Sequence, residues 1–171
     1  MREKACCFTG HRMVSAADKA ALEIALKAEI SRLAARGVTE FYNGGAWGFD
    51  MLAAETVLSL RDTLPVHLHL ILPCKEQDAG WAEALRKRYK AILRAVDSVS
   101  YIAERYDETC MYRRNDALID ASAYCICFMQ RERGGTWYTV RRARKAGLEI
   151  IHLLTTDPIQ LTLDTVDTEM W

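Results

Sequence analysis

The sequence predicts an α/β fold, a parallel sheet with helices on both faces. Three observations carry this. Short apolar runs alternate with helix-spaced segments along the chain. Most of the short runs are continuously apolar, as strands covered on both faces are. Glycine or proline turns separate many runs from the segments that follow. Right-handed crossovers between parallel strands then place helices on both sides.

The elements follow in order. Residues 5–8 form a short buried strand that ends in Thr9-Gly10-His11-Arg12. Ser15 is a good N-cap, and Leu22, Leu26, Ile30 and Leu33 recur at helical spacing through residues 16–36. Gly37 stops that helix. Residues 40–42 form the second strand, and a helix covers residues 49–61. Pro65 precedes a third strand over residues 67–73. Residues 76–96 read as an amphipathic helix bearing Arg86-Lys87-Arg88. A fourth strand at 98–102, a loop at 104–109 and a helix at 112–121 lead to the strongly apolar fifth strand, 123–129. Gly134-Gly135 opens a turn before a helix at 136–146. Gly147 caps that helix, and residues 149–154 form the last strand. The polar tail after Thr155 ends in Trp171 and is expected to be a short docked helix. There is no internal repeat, low-complexity segment or linker, so residues 1–171 are expected to form one domain.

Of the 171 residues, 50% are apolar and 27% charged, an ordinary globular mix. Lys and Arg total 23, as do Asp and Glu, so the formal charge is zero. That argues against nucleic acid as a partner, although a local basic patch stays open. No apolar run approaches the roughly 18 residues a membrane span needs. Met1-Arg2-Glu3-Lys4 leads into too short an apolar stretch for a signal peptide. Six cysteines contain no C-x-x-C pair, so zinc is not expected. With no export signal they are expected to be reduced, mostly buried thiols of a cytoplasmic protein.

The chain is organised around Asn43-Gly44-Gly45-Ala46-Trp47-Gly48-Phe49-Asp50, a strand-to-helix turn. Glycine there permits positive φ and close approach of backbone to a ligand, and the following helix directs unpaired N–H groups to the same spot. This suits an anion, phosphate above all. Asp50 suits a ribose hydroxyl or a helix cap, and a plain tight turn is the alternative. In an open parallel sheet, ligands bind beyond the carboxyl ends of the strands, where strand order reverses. Thr9-Gly10-His11-Arg12, the glycine turn, Pro73 to Glu76, and Arg131 with Arg133-Gly134-Gly135-Thr136 all fall at that edge.

Residue type sets the candidate roles. Arg12 and Arg133 suit bidentate phosphate contacts. Thr136 suits a cap or a phosphate donor. Trp47, Trp81 and Trp137 could stack on a base or fill core. His11 could be a general acid, a hydrogen-bond donor or structural. His67 and His69 share a strand face, but no third ligand accompanies them, so no metal is expected. Arg86-Lys87-Arg88 reads as a solvated helix face. Tyr112-Arg113-Arg114-Asn115-Asp116 opens a helix and either presents polar groups across the cleft or caps that helix.

These motifs resemble the YpsA-like family of uncharacterised bacterial proteins, within the SLOG group that includes Smf/DprA and the cytokinin-activating LOG enzymes. Thr9-Gly10-His11-Arg12 and Gly44-Gly45-Ala46-Trp47-Gly48-Phe49-Asp50 carry the resemblance, supported by Arg114-Asn115 and Gly134-Gly135-Thr136. It spans roughly residues 4–155. The resemblance implies a Rossmann-like, SLOG-type three-layer sandwich. It also implies a nucleotide or ADP-ribose-like ligand at the sheet's carboxyl edge, with no cofactor identified. A homodimer is possible by analogy with the LOG group. LOG enzymes split a nucleoside monophosphate using an Arg-Lys pair and Gly-Gly-x-Gly-Thr-x-x-Glu. Here Arg114 matches the arginine, Asn115 replaces the lysine, and Thr139 stands where the glutamate would be. Glycosidic cleavage needs a carboxylate near the oxocarbenium-like sugar, so Asp50, Asp116 or Asp120 would have to substitute.

Nucleotide binding or sensing is therefore the first expectation. Thr9, Gly10, His11, Arg12, Gly44, Gly45, Trp47, Gly48, Asp50, Arg114, Asn115, Gly134, Gly135 and Thr136 are its candidate ligand contacts. Phosphate would sit on backbone N–H groups of the glycine turns. A LOG-like phosphoribohydrolase and a DprA-like interaction or DNA-binding module are the alternatives.

Overall fold

Strand β1 (Ala5–Gly10) is buried over its first four residues, so it belongs inside the sheet with both faces covered. The computed structural model describes residues 1–154 and places it there. Helix α1 (Ala16–Ala35) starts where the Ser15 hydroxyl accepts the Asp18 N–H at 3.1 Å, and it buries Leu22, Leu26, Ile30 and Leu33. The chain continues through β2 (Glu40–Asn43), α2 (Phe49–Leu60), β3 (His67–Cys74) and α3 (Glu83–Ala95). It then passes through β4 (Ser98–Ala103), α4 (Cys110–Asp120), β5 (Tyr124–Phe128), α5 (Gly135–Lys145) and β6 (Glu149–His152).

The sheet order is β4-β3-β2-β1-β5-β6, and every neighbouring pair is parallel. The chain first steps outward from β1 to β4. The α4 crossover then returns it to the other side of β1, so strand order reverses between β1 and β5. Side chains alternate across the sheet accordingly. Cys6, Phe8, Ile126 and Phe128 pack beneath α1, α2 and α3, while Cys7, Cys125 and Cys127 pack beneath α4 and α5. All six cysteines are buried, and none forms a disulfide among the described residues.

Two differences from the sequence reading have local causes. The helix expected over residues 76–96 is confined to α3, because residues 75–80 form turns. Gln77 there donates to the Gly45 carbonyl at 3.1 Å and to the Tyr89 hydroxyl at 3.2 Å, and buried Asp78 meets Arg86 at 3.4 Å. Helix α4 starts earlier than expected, at Cys110, because the Asp107 carboxylate accepts the Thr109 N–H at 2.8 Å and organises the entry. The expected C-terminal helix lies outside the described residues.

Gly48 joins the first two strand ends. Its φ is +80°, and a Cβ there would lie 2.0 Å from the Arg12 carbonyl oxygen. Gly48→Ala therefore combines an unfavourable φ with a backbone clash. We expect it to cost about 2–4 kcal/mol, read as a lower urea midpoint at unchanged slope. An unaltered midpoint would show that Arg12 does not hold this close approach.

Candidate functional site

A cleft of about 690 Å³ opens at the carboxyl edge of the sheet, where the ends of β1 and β5 diverge. Such reversals of strand order are where open parallel sheets bind ligands. Thr9, Gly10, His11 and Arg12 after β1 line it, as do Trp47 and Asp50 around the start of α2. Arg114 and Asn115 enter from α4, and Gly134, Gly135 and Thr136 from the start of α5. The structure thus gathers eleven of the fourteen candidates. Gly44, Gly45 and Gly48 do not line the cleft.

The β2–α2 turn differs from the expectation that its N–H groups are free for phosphate. The Gly45 N–H is spent on the Asn43 side-chain oxygen at 2.8 Å, and the Ala46 N–H on Asp50 Oδ2 at 3.2 Å. Asn43 also donates to the Asp50 carbonyl at 2.8 Å. Small polar side chains thus take over donors that a ligand would otherwise meet. Gly44 is needed for Arg114, whose Nη1 donates to the Gly44 carbonyl; a Cβ on Gly44 would lie 2.6 Å from that nitrogen.

Arg114 is only 5% exposed, and its Nε donates to Asn115 Oδ1 at 2.8 Å. Burial lowers its pKa, opposed by the charge of Asp50. Asp50 is itself buried. Burial raises its carboxyl from 3.8 to about 6, against the attraction of Arg114, the Ala46 N–H and Arg12.

His11 is a tie between strand ends. Its Nε2 accepts the Gln130 N–H at 2.8 Å, and its carbonyl accepts the Phe49 N–H at 3.1 Å. The first bond requires a neutral Nε2, and burial together with Arg131 lowers the His11 pKa. Arg12 lies over the Trp47 ring at 5.1 Å, and Trp81 meets the same ring edge-on at 5.3 Å. Trp81 and Trp137 pack against the two cores and do not line the cleft. Asp116 is held by Arg142 at 3.0 Å, and Asp120 is exposed; neither lines the cleft. The Thr139 hydroxyl donates to the Gly135 carbonyl at 2.8 Å. His69 contacts Glu40 at 3.0 Å and Ser98 at 2.7 Å, while His67 contacts Asp97 at 3.6 Å. Arg86, Lys87 and Arg88 pair with Asp78, Glu83 and Glu55.

Tyr106 and Glu108 also line the cleft, as does Tyr112. The loop before α4 carries no glycine signal, and only the crossover from β4 to β5 brings it to this edge. In all, four arginines (Arg12, Arg114, Arg131 and Arg133) face two carboxylates (Asp50 and Glu108).

A model of the YpsA family, described as the YspA SLOG family, matches residues 7–157. The chain belongs to that family. Among curated relatives, a UPF0398 protein of Halalkalibacterium halodurans is 33% identical over 115 residues, covering 66% of this chain and 61% of that protein. A UPF0398 protein of Oceanobacillus iheyensis is 31% identical over 94 residues, covering 54% of this chain and 51% of that one. The chain thus spans roughly half to three-fifths of the length of these two relatives. Two solved structures share the fold. DNA processing protein A (DprA) of Streptococcus pneumoniae superposes with a TM-score of 0.68 at 16% identity, over 94% of this chain and 53% of that one. DprA of Helicobacter pylori superposes with a TM-score of 0.66 at 21% identity, over 94% of this chain and 72% of that one. The fold of this SLOG chain is accordingly Rossmann-like, with six parallel strands between two helical layers.

The Helicobacter structure concerns that protein's single-stranded DNA binding mode. A chain of this fold therefore binds single-stranded DNA, and the expectation against nucleic acid as a partner is overturned. Zero net charge averages over the whole surface and does not describe the cleft, whose lining holds four arginines and two carboxylates. No helix among the described residues is long and apolar enough to cross a membrane.

Asp50 gives the SLOG cleft a pH signature. Its folded pKa of about 6 exceeds the ordinary 3.8, so the folded state holds the proton more tightly. The stability this confers is complete below pH 3.8 and is lost as pH rises through about 6. Two pKa units correspond to about 3 kcal/mol. D50N should therefore gain about 2–3 kcal/mol on the wild type between pH 4 and 7. Urea unfolding of both proteins across that range checks it, and a pH-independent difference would refute the assignment.

Proposed function

We propose that the cleft binds the phosphate of a nucleotidyl unit in the cytosol, either a free nucleotide or one unit of a single-stranded nucleic acid. The observation that carries this is the set of uncommitted cations at the mouth of α5. Arg131 and Arg133 line the cleft and have no ion pair among the described residues. Beside them, Gly134 has a φ of +86°, and a Cβ on it or on Gly135 would meet no described residue within 4 Å beyond its chain neighbours and its own helix. Bare backbone at a helix N-terminus, flanked by exposed guanidiniums, suits phosphate. Arg12 adds charge, and buried Arg114 offers further guanidinium donors on the cleft wall.

The nucleic-acid form of this reading has support of its own in the excess of arginine over carboxylate in the cleft, since counterion release favours such a surface. Binding rather than hydrolysis is the reading for α5, because Thr139 supplies no carboxylate there.

Titration calorimetry with AMP and a short oligothymidylate tests the proposal. Arg133→Ala and Arg12→Ala should each weaken binding about tenfold, roughly 1.4 kcal/mol. Oligonucleotide affinity should also fall with added salt. Absence of binding by both ligands, or affinities untouched by both substitutions, would sink the reading. Chromatography of the AMP mixture after incubation separates holding from cleavage by release of free adenine.

A further inference from the structure

The cleft carries exposed aromatic surface that phosphate recognition does not use. Tyr106 is 70% exposed and Tyr112 54%, yet both line the cleft. Lone exposed aromatics are unremarkable, but here two border one cationic recess. The backbone turn between them is held, and the Tyr112 ring is braced. Asp107 accepts from Thr109 at 2.8 Å and from Arg113 at 2.7 Å, which fixes the turn between them, and Tyr138 braces Tyr112 edge-to-face at 5.3 Å.

The other aromatic rings of the cleft are occupied. Phe8 is buried in the core, Trp47 is covered by Arg12 and Trp81, and His11 is bonded to the Gln130 N–H. The tyrosines come from the β4–α4 loop and α4, whereas Arg131 and Arg133 come from the β5–α5 loop. A cleft of about 690 Å³ accommodates a base as well as a phosphate. We propose that Tyr106 and Tyr112 form a base-stacking subsite. The cleft then selects base-bearing phosphates over bare sugar phosphates. This rests on the phosphate reading above and adds the chemical class of its ligand. Stacking on a tyrosine face tolerates any base, because every base presents a π-face.

Affinity for AMP against ribose 5-phosphate tests it. The wild type should prefer AMP by about tenfold or more, as one stacked base provides. The Tyr106→Ala/Tyr112→Ala double variant should lose that preference while its affinity for ribose 5-phosphate stays unchanged. The corresponding double phenylalanine variant should retain the preference, since it keeps both rings. Oligothymidylate against an abasic oligonucleotide of equal length identifies the source of the base. A preference confined to AMP marks a free nucleotide, and the same tyrosine-dependent preference in the oligonucleotide pair marks a strand. Equal wild-type affinities for AMP and ribose 5-phosphate, or a preference that survives loss of both rings, would overturn the subsite while leaving phosphate binding intact. Failure of AMP, ribose 5-phosphate and oligonucleotide alike to bind would overturn the phosphate reading and the subsite with it.

Discussion

A guanidinium buried to 5% exposure must be hydrogen-bonded or it destabilises the fold, and Arg114 meets that requirement on the carbonyl of Gly44. The bond joins parts of the chain 70 residues apart. Gly44 follows β2, in the outward run of strands, whereas Arg114 lies on α4, the crossover that returns the chain to the far side of β1. The contact thus ties the β2–α2 turn to the helix that arches over the reversal of strand order. Any side chain at position 44 would occupy the place of the guanidinium. Asp50 then balances the charge from the first turn of α2, and its own burial lifts its carboxyl to about 6. The cleft wall is therefore a coupled set: glycine makes room for arginine, and the arginine charge limits how far the carboxylate shifts.

The two glycine turns at this edge look alike in sequence and differ in physics. Around Gly45 the donors are consumed by Asn43 and Asp50, and glycine serves the close approach of one protein segment to another. Around Gly134 and Gly135, among the described residues, nothing beyond the chain neighbours and the helix's own backbone lies within 4 Å of where a Cβ would stand. A glycine that is not crowded by its own chain is free to be approached by something else. This is why the phosphate reading shifts from the turn that dominates the sequence to the turn before α5.

Much of the fold was legible. The short apolar run at residues 123–129, rich in aromatics and flanked by turn signals, reads as a buried strand, and the spacing of Leu22, Leu26, Ile30 and Leu33 reads as a helix face. The strand ends that meet at the cleft followed from alternation alone. Helix α3 was overextended because Glu76 and Gln77 suit a helix by propensity, and only the tertiary contacts of Gln77 with Gly45 and Tyr89 and of Asp78 with Arg86 show why the segment turns instead. Tyr106 and Glu108 carried no local signal, since their place at the cleft depends on which strand β4 connects to. His11 was visible as a site residue, but its neutral Nε2 could not be read without the Gln130 N–H.

Charge shows the same dependence on arrangement. The 23 cationic and 23 anionic side chains cancel in number, and many cancel in space as well: Arg88 with Glu55, Arg113 with Asp107, Arg142 with Asp116. Each such pair removes a cation from long-range recognition at little gain in stability. What matters for a phosphate is the remainder, the cations that local pairing leaves over. Arg131 and Arg133 belong to that remainder, and they fall where a helix N-terminus and bare glycine backbone meet at the reversal of strand order. A neutral chain can therefore present a cationic site without a basic surface.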